Sequence, residues 1–214
     1  MGVQERKERE RQKRHEEIID AAERVFSKKG FDAATVDDIA TEAELSKATL
    51  YMYFKSKEEL YYYICERGQI KMLDLIEKAE KKYNTPLELI RAYLEAIILF
   101  HKKYPDYFQA IHYFQTNPLL QRLYEQNIDI IHRHNIHEQL ISKWSSVIQQ
   151  GKEQGLIRSD LNSLEAGLLI WLQLSGFLKM FVVNKDVIQK DFNIKSEKLL
   201  EEYFELVFKG ITVF

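Results

Sequence analysis

The chain has 214 residues and a mass of 25.5 kDa, and its 45% hydrophobic and 30% charged content excludes a disordered polymer. Eight glycines and three prolines are too few for the turns of a β-rich fold, and a lone Cys65 excludes an internal disulfide or a cysteine-based zinc finger. A net charge of −2 makes the whole molecule no polyanion binder, so any nucleic-acid site has to be a local patch.

Met1 to His15 is charged and polar where a secretory leader needs an apolar core, which points to a cytoplasmic protein. From Glu5 the charges run into an amphipathic segment with Ile18, Ala22, Val25 and Phe26 at helical spacing, stopped by Lys28-Lys29-Gly30. Thr35 followed by Asp38 reads as an N-cap with an acid three residues on, opening a short helix to Ala43. Ser46 caps a second short helix predicted to reach Phe54. Ser56-Lys-Glu-Glu59 is a capping box, and from Lys57 the pattern runs to Tyr83. Thr85-Pro86-Leu87-Glu88 opens the next helix, which ends at Tyr104-Pro105. Further helices are expected over 106–115, 118–154 with a break at 132–135, 163–183 and 196–209.

These elements predict an all-α chain. Residues 1–55 form a three-helix helix-turn-helix domain, and 56–214 a larger helical domain joined to it through the helix from Lys57. The apolar stretch Leu164 to Val183 has the length of a bilayer span. Its Glu165, Gln173, Ser175 and Lys179 favour a buried helix and no membrane.

The two short helices cannot stand alone and need the helix before them to pack on. Val36, Ile39, Ala40 and Ala43 give the first an apolar face, Leu45 fills the turn, and Leu50 and Phe54 pin the second. From Leu45 to Lys57 there are three lysines and no acid, although residues 1–57 hold 12 basic and 12 acidic side chains. Residues 1–15 add six Lys/Arg against three Glu, an arm able to follow a phosphate backbone. A solvated, slightly basic helical hairpin would show the same charge.

Thr35-Val-Asp-Asp-Ile-Ala-Thr-Glu-Ala43 and Leu45-Ser-Lys-Ala-Thr-Leu-Tyr-Met-Tyr-Phe-Lys-Ser-Lys-Glu-Glu-Leu60 resemble the DNA-binding segment of the tetracycline-repressor (TetR) family. Ile19 to Phe26 and Gly30-Phe31 fit the same pattern, over about 45 contiguous residues. The resemblance implies that Ser46, Lys47, Ala48 and Thr49 face bases or nearby phosphates. It implies phosphate binding by the Tyr51 and Tyr53 hydroxyls, with Thr35 and Lys57 clamping the backbone. Glu44 stands where the family usually has glycine, at a cost of about 1 kcal/mol if its φ is positive. Ala48 also replaces a common glycine, and its methyl suits contact with a thymine methyl.

The resemblance further implies a homodimer on a palindromic double-stranded DNA operator, held by the last two long helices. Ala166, Ile170, Gln173, Phe177 and Met180 form one stripe, with Gly167, Ser175 and Gly176 allowing close crossing; Leu199, Leu200, Tyr203, Phe204, Val207 and Phe208 form another. Intramolecular core is the alternative for both. In a family of ligand sensors, the aromatic set Tyr93, Phe100, Tyr107, Phe108, His112, Phe114, Tyr124, Trp144 and Trp171 suits a hydrophobic or aromatic small effector, with core filling as the alternative. The implied function is a ligand-responsive transcriptional repressor, the effector tilting helix 57–83, with Gly68 either a soft point or simply a tolerated glycine, so that the two reading heads no longer sit about 34–36 Å apart.

His132, His134 and His137 with Glu138 do not complete a metal site, and no cofactor is implied. No phosphate loop, nucleophile elbow or HExxH motif marks an enzyme. A helical enzyme, a small-molecule binding protein without DNA binding, or a structural adaptor would leave the 35–60 pattern unexplained.

Overall fold

The structure, a computed structural model, describes residues 2–126 and 136–213, and the chain is 83% helical with no strand among them. In chain order the helices are α1 (Val3–Ala33), α2 (Val36–Glu42), α3 (Lys47–Tyr51), α4 (Lys57–Glu80) and α5 (Pro86–Lys103). They continue with α6 (Pro105–Thr116), α7 (Pro118–Gln126), α8 (Ile136–Glu153), α9 (Ser163–Phe192) and α10 (Ser196–Ile211). An antiparallel bridge, Ile157 to Thr212, ties the turn after α8 to the end of α10.

The starts follow the caps read from the sequence. Thr35 accepts from the Asp38 amide while Asp38 accepts from the Thr35 amide, and Asn162 caps α9 by accepting from the Leu164 and Glu165 amides. Gly30, with φ +75°, breaks the helical path of α1 where the sequence places a stop. Two lengths differ from expectation. α3 ends at Tyr51 instead of Phe54, because Leu50 and Phe54 are drawn into the core by a tighter turn. α9 continues nine residues past Val183 and stops only at Asn193, the next residue with a left-handed backbone (φ +53°).

The chain packs as two units. One gathers Met1–Gln69 with Tyr104–Arg133, the other Ile70–Lys103 with His134–Phe214. In the first, Ile18, Ile19, Ala22, Val25, Ile39, Leu50, Phe54, Leu60 and Ile64 close a core among α1 to α4. In the second, α8 and α9 pack along each other and both meet α5, burying Ile90, Leu94, Ile97, Trp144, Ile148, Ile170 and Leu174. Ser163–Phe181 of α9, with a mean hydropathy of 1.3, is long and apolar enough to cross a membrane by length and composition alone. One of its faces is spent inside the second unit, where Ala166, Ile170, Leu174 and Leu178 are buried.

Candidate nucleic-acid interface

The candidate interface is the α2–turn–α3 segment of the first unit. Asp38 is fixed at the start of α2 by the Lys29 ammonium at 2.7 Å and by both hydrogen bonds with Thr35. The ammonium first, then the Thr35 donors, hold its carboxyl at about 2, below the ordinary 3.8. The turn closes when the Leu45 amide donates to Ala40 O at 2.9 Å, and this requires φ +55° at Glu44. Ser46 then caps α3, its Oγ accepting from the Thr49 amide at 3.1 Å and sharing a 2.8 Å bond with Thr49 Oγ1.

With Leu50 buried and Phe54 beneath it, α3 shows solvent a face made of Ser46, Lys47, Ala48, Tyr51 and Met52. Tyr51 is 47% exposed; Thr49 and Tyr53 are half-buried at its margins. Lys47 lies 3.0 Å from Asp37 of α2, and that hydrogen bond and charge raise its pKa. Met52, at 77% exposure, was not among the expected site residues. Its only sequence signal was its place off the Leu50/Phe54 stripe.

Lys57 sits differently from a free phosphate clamp. Its Nζ donates to Phe31 O at 2.9 Å, Ala34 O at 3.0 Å and Asp32 O at 3.4 Å, and lies 4.5 Å from the Phe31 ring centre. The ammonium thus closes the end of α1, satisfying carbonyls that the Gly30 break leaves without helical partners. Thr35, at the other expected clamp, has its hydroxyl oxygen accepting in the α2 cap.

Behind this face, Arg67 of α4 grips three carboxylates of α1: Glu16 at 2.6 Å, Asp20 at 2.7 Å and Glu23 at 3.2 Å. Tyr107 of α6 donates to Glu23 at 2.9 Å and Tyr113 to Asp32 at 2.8 Å. Gly68 lies where α6 crosses α4: a Cβ there would stand 3.0 Å from Tyr107 Cβ and 3.1 Å from Ile111 Cδ1. The absent side chain is therefore a packing requirement. Cys65 is buried nearby on α4, and burial pushes its thiol pKa up.

The expected effector residues fall in both units. In the second, Tyr93 and Trp144 meet edge to face with ring centres 5.2 Å apart; Phe100 is buried and Trp171 half-buried. Tyr93 donates to Glu80, which also holds Lys143 at 2.7 Å, and burial with that carboxylate raises the phenol pKa. In the first unit, Phe108 and His112 lie on α6 with ring centres 6.4 Å apart, Tyr107 and Phe114 are half-buried, and the Tyr124 side chain is outside the described residues. His132, His134 and the side chain of His137 are outside them as well.

Residues 18–64 match the family model described as bacterial regulatory proteins, tetR family. The uncharacterized HTH-type transcriptional regulator YfiR of Bacillus subtilis is 27% identical over 143 residues, 67% of each chain. The HTH-type transcriptional repressor NicS of Pseudomonas putida is 25% identical over 153 residues, 72% of this chain and 70% of that one. Among solved structures, the TetR family transcriptional regulator PfmR from Thermus thermophilus aligns with a TM-score of 0.60 at 25% identity, over 90% of this chain and 97% of that one. These relatives are regulators, not enzymes. Residues 18–64 thus carry the helix-turn-helix domain of the tetR family of bacterial regulatory proteins, on a fold shared with a solved regulator of that family.

Proposed function

We propose that the protein is a homodimeric transcriptional repressor that binds a palindromic operator through α3 and is released from it by a hydrophobic or aromatic small molecule. The observation that carries the DNA-binding part is the solvent face of α3. A five-residue helix has been fixed by two caps and two buried side chains, and its outer face carries hydroxyls, a lysine, a methyl and a thioether. Ser46, Lys47, Ala48 and Thr49 read base edges or adjacent phosphates, and Tyr51 and Tyr53 bind phosphate. Thr35 and Lys57 act through the ends of α2 and α1, Lys57 mainly by holding α1 in place. Residues 1–55 are the reading domain and 56–214 the sensing and dimerising one.

The dimer is supported by a second apolar face in the second unit. Leu169, Leu172 and Met180 of α9 are exposed, as are Leu206 of α10 and Val213 after it. Gly176 and Gly210 have nothing beyond their own stretch of helix backbone within 4 Å of where their Cβ would be, leaving room for a second copy. Gly167, expected at that interface, serves its own chain instead: its Cβ would come 2.9 Å from Trp144 Cβ. The repressor sense follows NicS, a transcriptional repressor. The effector class rests on the aromatic residues of 93–171, Tyr93 and Trp144 with the Glu80–Lys143 pair beside them giving an apolar wall with a polar edge.

The test is selection of duplexes from a random pool by the full-length protein, repeated with Lys47→Ala plus Tyr51→Phe, alongside native mass spectrometry. The expected results are a two-fold symmetric consensus lost in the double variant, and a mass of twice 25.5 kDa in both. A variant that selects the same consensus would remove α3 as the reader. A monomer at micromolar concentration would remove the palindromic model.

A further inference from the structure

The geometry points to a second DNA contact: the first turns of α1 form a basic rail, centred on Lys7 and Arg11, that runs along duplex phosphates beside the α3 site. This rests on the assignment of α3 as a DNA reader and adds an element that the family match, which begins at residue 18, does not include.

α1 is 31 residues long, yet its apolar packing begins only at Ile18, and residues 4–14 are all exposed. About four turns of helix therefore stand out from the core. Helix-stabilising pairs hold them, Arg6 with Glu10 at 2.9 Å and Arg14 with Glu17 at 2.9 Å. The segment continues a helix already nucleated by its packed part, so it can stand in solvent and present its charges there.

Helical spacing says which side carries the charge. Lys7, Arg11, Arg14, Ile18, Ala22 and Val25 recur at intervals of three and four, so the basic stripe continues the same face that buries Ile18, Ala22 and Val25 in the head. No carboxylate lies on that stripe; Glu5, Glu8 and Glu10 lie to its sides. Lys7 and Arg11 make no ion pair among the described residues, whereas Lys13 shares Glu17 with Arg14. His15, one turn after Arg11 on this side, fixes the direction. Its ring centre lies 4.4 Å from that of Phe54, three residues beyond α3, and 4.9 Å from that of Tyr63. The rail thus leaves the head beside the segment that follows α3. At about 1.5 Å per residue, Lys7 stands about 12 Å beyond His15, a reach of three to four base-pair steps along a strand.

Phosphate contacts add affinity without sequence information, and each one released lowers the salt slope of binding by about 0.9. The experiment measures affinity against salt concentration for the full-length protein on two probes, the duplex it selects from a random pool and a random duplex of about 40 bp, long enough for both heads and both rails. Lys7→Gln with Arg11→Gln is compared with a charge-matched control on the opposite face, Arg9→Gln with Lys13→Gln. Glutamine keeps helix propensity, and all four positions are exposed, so folding is preserved. The rail variant is expected to lower the slope by about 3 to 4 for a dimer carrying two rails, to weaken both probes by the same factor of at least about ten at about 0.15 M salt, and to recover with Lys7→Arg plus Arg11→Lys. The control is expected to change the slope by less than half as much. Equal effects from both variants, an unchanged slope in the rail variant, or a loss confined to the selected duplex would overturn the rail while leaving α3 as the reader. A wild-type protein that binds neither probe would overturn the α3 assignment itself, and the rail with it.

Discussion

Glu44 offers the cleanest test of how the reading head is built. Its backbone is left-handed, φ +55°, in the turn that delivers α3 to its place on α2. That conformation costs a residue with a Cβ about 1–2 kcal/mol. Glycine escapes the cost but loses about 0.5–1 kcal/mol through the greater freedom of its unfolded chain. The side chain makes no hydrogen bond or ion pair among the described residues, so little else changes. Glu44→Gly should therefore stabilise the first unit by about 0.5–1 kcal/mol. For a cooperative unit of about 100 residues this raises the melting midpoint by about 2–6 °C. Calorimetry on the full chain, with hydrogen exchange at the Leu50 and Phe54 amides, reads the effect where it arises. Glu44→Ala removes the same charge but keeps the Cβ, so it should give no gain, and Glu44→Asn should fall between. An alanine variant as stable as the glycine one would show that charge, not backbone geometry, sets the turn's energy. No gain from glycine would refute the strain argument outright.

Three further outcomes follow from the same geometry. Gly68→Ala should destabilise by about 1–2 kcal/mol, because overpacking against Tyr107 and Ile111 outweighs about 1 kcal/mol of helix propensity, and Ile111→Val should recover part of the loss in a double-mutant cycle. Asp37→Asn frees Lys47 from its pair and should raise duplex affinity a few-fold, read by fluorescence anisotropy; weaker binding would contradict a DNA-facing Lys47. Asp38 titrates at about 2 in the folded chain against 3.8 ordinarily, so its contribution is complete above about pH 4 and is lost as pH falls through 2. The urea midpoint should fall across that window, and Asp38→Asn should flatten the fall.

The helices and their caps were legible because their determinants are local. Thr35 with Asp38, Ser46 with Thr49 and the break at Gly30 lie within a few residues of each other, and each does in the structure what its type and spacing require. The outward residues of α3 were legible for the same reason, since Leu50 and Phe54 fix its inner side. What escaped were pairings across long stretches of chain. Nothing near Tyr107 announces Glu23, 84 residues away, or near Tyr113 announces Asp32, 81 residues away. These bonds accompany the grouping of α6 and α7 with the first unit. That Lys57 also holds three carbonyls at the end of α1 was not legible, because backbone carbonyls leave no trace in a sequence, and Arg67's grip on α1 was missed because its partners are ordinary surface acids. Gly68 read as a soft point or a tolerated glycine, and only its neighbours Tyr107 and Ile111 show that packing asks for it.

The distribution of aromatic residues makes the protein its own two-channel instrument. Both tryptophans, Trp144 and Trp171, lie in the second unit, and the first has none. Trp144 is buried and packs edge to face with Tyr93, so its emission should be blue-shifted and sensitive to what touches that wall. Duplex DNA on α3 binds a unit that stays dark when only tryptophan is excited. Any change in emission when operator is added would therefore be read from residues of the other unit. If the proposed effector lies against the Tyr93–Trp144 wall, a titration followed at the same wavelength would report its occupancy. The two curves taken together give the coupling free energy between reading and sensing without a label on either.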